Sequence, residues 1–241
     1  MKINLLKEDI NKGNLILVNP DHLLKNISKN LVSFDNTFQD IELDQEANKQ
    51  LHLALESINA GNKIVPVSGY RSLNEQIAIY EDSLKENGEE FTKKFVALPN
   101  ASEHQSGLAI DLALNEGDID FICPSFPYNG ICQEFRKVAA RFGFIERYKD
   151  EKKEITQIAK EEWHFRYVGY PHSQIIDNLD FCLEEYISYL KTFTYPNNPL
   201  KYEQYAIYYL PYQNDDEIAL DKSFAISGNN EDGFILTIKE D

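Results

Sequence analysis

Two short stretches carry side chains whose types and spacing could do chemistry. In NASEHQSGLAIDLAL, residues 100–114, His104 and Asp111 flank Gly107 at the entrance to an apolar run. In EEWHFRYVG, residues 161–169, His164 lies among aromatic residues with Glu161 and Glu162 just upstream. A carboxylate inside an apolar run is costly unless something cationic answers it. An arginine, a protonated histidine or a metal ion could do so. Two imidazoles and one carboxylate suit a tetrahedral Zn(II) with its fourth position open to water. A neighbouring carboxylate that is not a ligand could then take the proton of that water.

The elements around these residues must bring them together. In GLAIDLAL a pleat separates Leu108, Ile110, Leu112 and Leu114 from Ala109, Asp111 and Ala113, which leaves space beside Asp111. His104 and Asp111 are an odd number of residues apart, so simple alternation would oppose them, and Gly107 is the residue able to supply a bend. The same alternation puts Glu162, not Glu161, on the face of His164. His22, His52 and His172 read as core or surface histidines.

Elsewhere, QEANKQLHLALESINAG carries Ala47, Leu51, Leu55 and Ile58 at helical spacing and stops at Gly61. KIVPVSGY reads as a strand. Ser72 and Glu75 form a capping-box signal for a helix with Ile77, Tyr80 and Leu84 on its apolar face. Residues 86–100 and 115–130 read as loops. CQEFRKVAARFG is a helix closed by Gly143, with Phe135, Val138, Ala139 and Phe142 apolar. YKDEKKEITQIAKEE reads as a hairpin or surface loop, and PHSQIIDNLDFCLEEYISYLK as one or two helices. Beyond the turn-rich TYPNNPL, short alternating runs suggest strands, with Asn229 to Gly233 as a hairpin turn.

Composition narrows the function. With 42% hydrophobic residues, 14 Tyr and 14 Phe the 241-residue chain is a folder despite a formal charge of -16. No basic cluster rises above that acidic background, which argues against nucleic acid as a partner. No segment approaches the roughly 18 apolar residues of a membrane span. MKINLLKEDINKGNLILVNP lacks the pattern of a secretory signal, so a cytoplasmic location is expected. Cys123, Cys132 and Cys182 form no CxxC pair and are expected to be reduced.

At its chemical residues the chain resembles the bacterial zinc D,D-peptidases of the VanY and VanX type, including the bifunctional VanXY enzymes of vancomycin resistance. Their SxHxxGxAxD pattern is met by Ser102, His104, Gly107, Ala109 and Asp111. Their ExWH followed by RYVG is met by Glu161, Trp163, His164 and residues 166–169. SGYRS, residues 68–72, and Gln76 complete the match, which covers roughly residues 15–190. The Tyr-rich tail lies outside it.

The resemblance implies an α+β fold, with a central antiparallel sheet and surrounding helices. Together with the composition shift at TYPNNPL, it divides the chain into a catalytic domain over 1–192 and a linker with a small β-rich C-terminal appendage over 193–241. The resemblance also implies one Zn(2+) per chain held by His104, Asp111 and His164, Glu161 as general base, and Arg71 as stabiliser of the oxyanion. Ser102 and Gln76 would orient substrate. The implied substrate is a small peptide or peptidoglycan precursor, the D-Ala-D-Ala dipeptide or a pentapeptide ending in it. Two other readings are an L-Ala-D-Glu endopeptidase of the same fold and a non-catalytic zinc-containing module that binds wall peptides. The balance of dipeptidase and carboxypeptidase action and the oligomeric state are not legible.

Overall fold

The structure is a computed structural model and describes residues 2–26, 30–214, 216–219 and 222–240. In chain order the strands are β1 (Lys2–Leu5), β2 (Leu31–Ser33), β3 (Glu42–Asp44), β4 (Ile64–Ser68), β5 (Ala109–Leu114) and β6 (Phe144–Tyr148). Then come β7 (Glu161–Tyr167), β8 (Leu200–Tyr202), β9 (Tyr205–Pro211), β10 (Asp216–Ala219), β11 (Phe224–Gly228) and β12 (Gly233–Lys239). The helices are α1 (Gln45–Ser57), α2 (Leu73–Asn87), α3 (Glu89–Phe95), α4 (Gly130–Ala139), α5 (Lys153–Thr156), α6 (His172–Leu179) and α7 (Leu183–Leu190). This is the expected α+β class, with every paired strand antiparallel.

Contacts divide the chain into two units, Val18–Asn178 and Met1–Leu17 together with Leu179–Asp241. The first holds a four-stranded sheet in the order β4-β5-β7-β6. Its central strands β5 and β7 are buried on both faces, which explains the near-continuous apolar run around Asp111. On one face Phe165 of β7 meets Phe135 of α4 and Phe126 edge-on, with centroids 5.0 and 5.4 Å apart. Removing a ring this enclosed typically costs about 3–5 kcal/mol. The next residue back, His164, emerges on the opposite face by the period of the pleat.

Helix starts follow the signals in the sequence. Asp44 caps α1 by accepting from the backbone N–H of Glu46 and Ala47, and α1 buries Ala47, Leu51, Ala54 and Leu55. Ser72 and Glu75 form the expected capping box at α2. The expected apolar face of α2 is not the buried one, since Ile77 is exposed while Gln76 and Ser83 are buried. The reason is α3, which lies in what the sequence suggested was a loop: Ser83 Oγ pairs with Thr92 Oγ1 at 2.8 Å across the two helices. Gly143 ends the turn Ala140–Phe142 at φ +88, where a Cβ would come within 2.5 Å of the Tyr167 ring. Right after it runs β6, which the charged character of FIERY concealed. Residues read as a hairpin or surface loop form α5 and its flanking turns instead.

The second unit has a sheet in the order β11-β12-β9-β8, and β1 pairs with β10. The hairpin expected at Asn229 to Gly233 joins β11 to β12, and Asn229 Oδ1 accepts from the backbone N–H groups of Glu231, Asp232 and Gly233. Leu5, Ile10, Leu210, Phe234 and Leu236 form its core, so the first strand of the chain and its last share one cluster.

Candidate active site

Three elements of the first unit converge on one cleft. Asp111 of β5 is flanked in register by Ser68 of β4 and His164 of β7. The backbone ladder therefore sets the separation of Asp111 and His164, and His164 Nδ1 lies 2.9 Å from Asp111 Oδ1. His104 arrives from outside the sheet, on the 3-10 turn Glu103–Ser106. Gly107, at φ +76 and ψ 5, turns the chain from that turn into β5. That is the bend the spacing required, and it places His104 Nε2 3.1 Å from Asp111 Oδ2.

One ligand atom from each of His104, Asp111 and His164 can be chosen so that all lie within 4.8 Å of one another, and all three residues are buried. The tautomers follow from their outer contacts. His104 Nδ1 lies 2.7 Å from the Gly69 carbonyl, which can only accept, so Nδ1 carries the proton and Nε2 presents its lone pair. His164 Nε2 lies 3.3 Å from Glu103 Oε2, which leaves Nδ1 to face Asp111.

The electrostatics favour positive charge beside Asp111, which a proton on His164 supplies until a metal ion replaces it. Burial works against a charged imidazole, yet the hydrogen bonds of His164 to Asp111 and Glu103 outweigh it and raise its pKa to about 9. Burial would raise Asp111, but the two imidazoles hold its carboxyl well below the usual carboxylate range. Burial and then the Arg71 guanidinium push His104 down to about 4, so this imidazole is neutral near pH 7, as a ligand must be. Two nitrogens and an ionised oxygen in this arrangement fit a zinc ion.

Glu161 and Arg71 line the same cleft, together with Ser102, Phe121, Tyr148 and Trp163. Glu161 Oε2 is 3.7 Å from His164 Nδ1. Simple alternation favoured Glu162, but the β6–β7 register shifts between Glu146 and Tyr148, whose partners are Phe165 and Glu161. That irregularity turns Glu161 into the cleft. Glu162 is directed elsewhere and accepts from the Phe126 backbone N–H. Burial pushes the Glu161 carboxyl up to about 8 against the opposing pull of His164.

Arg71 NH2 lies 3.0 Å from Asp111 Oδ2, and its Nε donates to Ser68 Oγ at 2.8 Å. Ser102 is buried at the wall of the cleft. Gln76 is fully buried on α2 and does not line the cleft; its Nε2 donates to the Ala97 carbonyl, and Ala97 does line it. His22, His52 and His172 lie outside the cluster. His22 pairs with Asn19, and His52 with the Phe34 carbonyl.

Sequence reasoning passed over Glu103, Arg147 and Arg166. All three are buried, and Glu103 Oε1 accepts from Arg147 Nε at 2.8 Å and Arg166 NH1 at 2.7 Å. The signal was present as two arginines inside the strands FIERY and HFRY, where the pleat gives charge no exit to water.

Comparison with known proteins gives this geometry its family. The model of VanY, D-alanyl-D-alanine carboxypeptidase, matches residues 40–170. The chain is 45% identical over 179 residues to the bifunctional D-Ala-D-Ala dipeptidase and carboxypeptidase VanXYC of Enterococcus gallinarum, covering 73% of this chain and 94% of that protein. The crystal structure of the vancomycin resistance D,D-dipeptidase VanXYg, in complex with a D-Ala-D-Ala phosphinate analogue, is 52% identical. It superposes with a TM-score of 0.96 over 100% of this chain and 99% of that one. A VanY D,D-pentapeptidase in complex with Zn(II) is 28% identical, with a TM-score of 0.58 over 72% of this chain and 98% of that one. With its sheet, its buried histidine–aspartate cluster and these matches taken together, the chain belongs to the VanY family of D-alanyl-D-alanine carboxypeptidases.

Proposed function

We propose that the protein is a zinc D,D-peptidase that hydrolyses the D-Ala-D-Ala dipeptide, removes the terminal D-Ala of peptidoglycan pentapeptide precursors, or does both, as part of glycopeptide resistance. One observation carries this reading: a buried His104, Asp111 and His164 cluster shares a cleft with an acid/base candidate, Glu161, and a cation, Arg71. A binding or structural metal site needs neither of the last two.

In this reading His104, Asp111 and His164 hold one zinc. When bound, zinc polarises a carbonyl and makes hydroxide available near neutral pH. Glu161 takes the proton of the attacking water and passes it to the departing amine, a role typically worth about 10² to 10⁴ in rate. Arg71 directs its guanidinium at the negative charge that develops on the scissile carbonyl oxygen. Ser102, on the cleft wall, orients the substrate. Gln76 supports the same task by tying down Ala97.

Cytoplasmic dipeptide and precursors are the substrates this reading assigns. One feature supports that compartment: Cys123, Cys132 and Cys182 are free thiols. The test is release of D-Ala from the dipeptide and from a pentapeptide precursor, measured side by side with zinc present, removed by chelation and restored. Turnover of either, lost and regained with the metal, is expected. A zinc-loaded protein that acts on neither would sink the reading.

A further inference from the structure

We propose that Glu103 is a positioning residue for the metal centre: through His164 Nε2 it fixes which nitrogen of that imidazole faces the metal, while Arg147 and Arg166 hold its carboxylate in place. The inference rests on the zinc site proposed above and goes beyond it, because Glu103, which lines the cleft, is neither one of the three proposed ligands nor the proposed base.

The geometry divides the two oxygens of Glu103 between two tasks. Oε1 takes both guanidiniums, at 2.8 Å from Arg147 and 2.7 Å from Arg166, and Oε2 is left for the imidazole at 3.3 Å. A carboxylate between two guanidiniums is an acceptor only, so the proton between Glu103 and His164 belongs to Nε2. Nδ1, the atom facing Asp111, is then the nitrogen whose proton a metal ion would replace, leaving its lone pair for the ligand bond. The side chains of Glu103, Arg147 and Arg166 are all fully enclosed, and a buried ion triad of this kind is often no more stabilising than apolar packing of the same volume. Fold stability alone therefore gives no reason for the triad, whereas orientation of a ligand does. The turn Glu103–Ser106 thus supplies one ligand, His104, and the partner that orients the other.

The test uses the zinc-loaded full chain and Glu103→Gln. In the unsubstituted protein, ¹⁵N spectra of the histidine rings should show His164 protonated at Nε2 and metal-bound at Nδ1. In Glu103→Gln, zinc affinity measured by chelator competition should fall about 10- to 100-fold. With zinc saturating, kcat should fall while KM for the dipeptide stays within about threefold, a split that loss of packing alone does not produce. An unchanged zinc affinity in the folded variant, or a His164 bound through Nε2, would overturn the role of Glu103. Should the variant fail to fold, the ring spectra of the unsubstituted protein decide. Failure of the zinc site itself looks different, because the unsubstituted protein would then bind no stoichiometric zinc at all.

Discussion

Asp111 and His164 are register partners on adjacent antiparallel strands, with His164 Nδ1 2.9 Å from Asp111 Oδ1. Their separation is set by the ladder of the central sheet rather than by a loop, so two of three proposed ligands are placed before any metal arrives. The third, His104, is held by its bond to the Gly69 carbonyl, at the end of the strand that flanks Asp111 on its other side. A site on such supports needs little reorganisation to bind, and its affinity should depend on each ligand rather than on the mobility of the chain.

Asp111→Asn should therefore cost the metal first. The substitution keeps the shape but removes the charge that answers two imidazoles and Arg71. Purified protein should lose stoichiometric zinc, and kcat/KM should fall about 10³-fold or more, equivalent to several kcal/mol of transition-state stabilisation. Metal analysis beside the dipeptide assay checks this. Retention of full zinc and activity would remove Asp111 from the ligand set.

Glu161→Gln and Glu162→Gln separate the two carboxylates that spacing alone could not. The first should retain zinc and lose about 10² to 10⁴ in kcat, with KM little altered. The second removes the charge of a carboxylate that accepts from the Phe126 amide, so it should cost about 1 kcal/mol of stability or less and leave kcat/KM within about threefold. The reverse pattern would hand the role of base to Glu162.

That pair also marks what was legible in the sequence. Asp111 stood out because a charge in an apolar run is a conflict that demands a partner, and Gly107 because a bend was needed between two residues at odd spacing. Glu161 was misplaced by alternation, since a register irregularity in β7 depends on its pairing with β6, and no local pattern records it. The helix α3 escaped because α2 meets it through the polar pair Ser83 and Thr92, which leaves no apolar stripe to read. The pairing of β1 with β10 was hidden for another reason: it joins segments at opposite ends of the chain.

Arg71→Lys tests whether a fixed fork or only a positive charge is required. The guanidinium spans Ser68 Oγ and Asp111 Oδ2 at once, which a single ammonium cannot reproduce. Both Arg71→Lys and Arg71→Ala should retain zinc. The alanine variant should lose about 10² to 10³ in kcat, the usual scale for one oxyanion donor, and lysine should recover only part of it. Full activity in the alanine variant would confine Arg71 to pairing with Asp111.

His172 yields a pH prediction outside the chemistry. At the start of α6 it is buried, and burial pushes its pKa down to about 3, whereas an unfolded histidine titrates near about 6.5. Above that value both states are neutral at this position and the group contributes no pH dependence. As pH falls from about 6.5 toward 3 the unfolded chain binds a proton that the folded chain refuses, so stability is lost on acidification, at up to about 1.4 kcal/mol per unit. His104 and the depressed carboxylates Asp111 and Glu103 act in the same direction, the carboxylates chiefly at lower pH. The informative quantity is thus the difference between parent and His172→Asn in their urea midpoints from pH 6.5 down to 5. The parent should lose stability more steeply over that interval. Parallel slopes would show that His172 accepts its proton in the folded state as readily as in water, which its burial opposes.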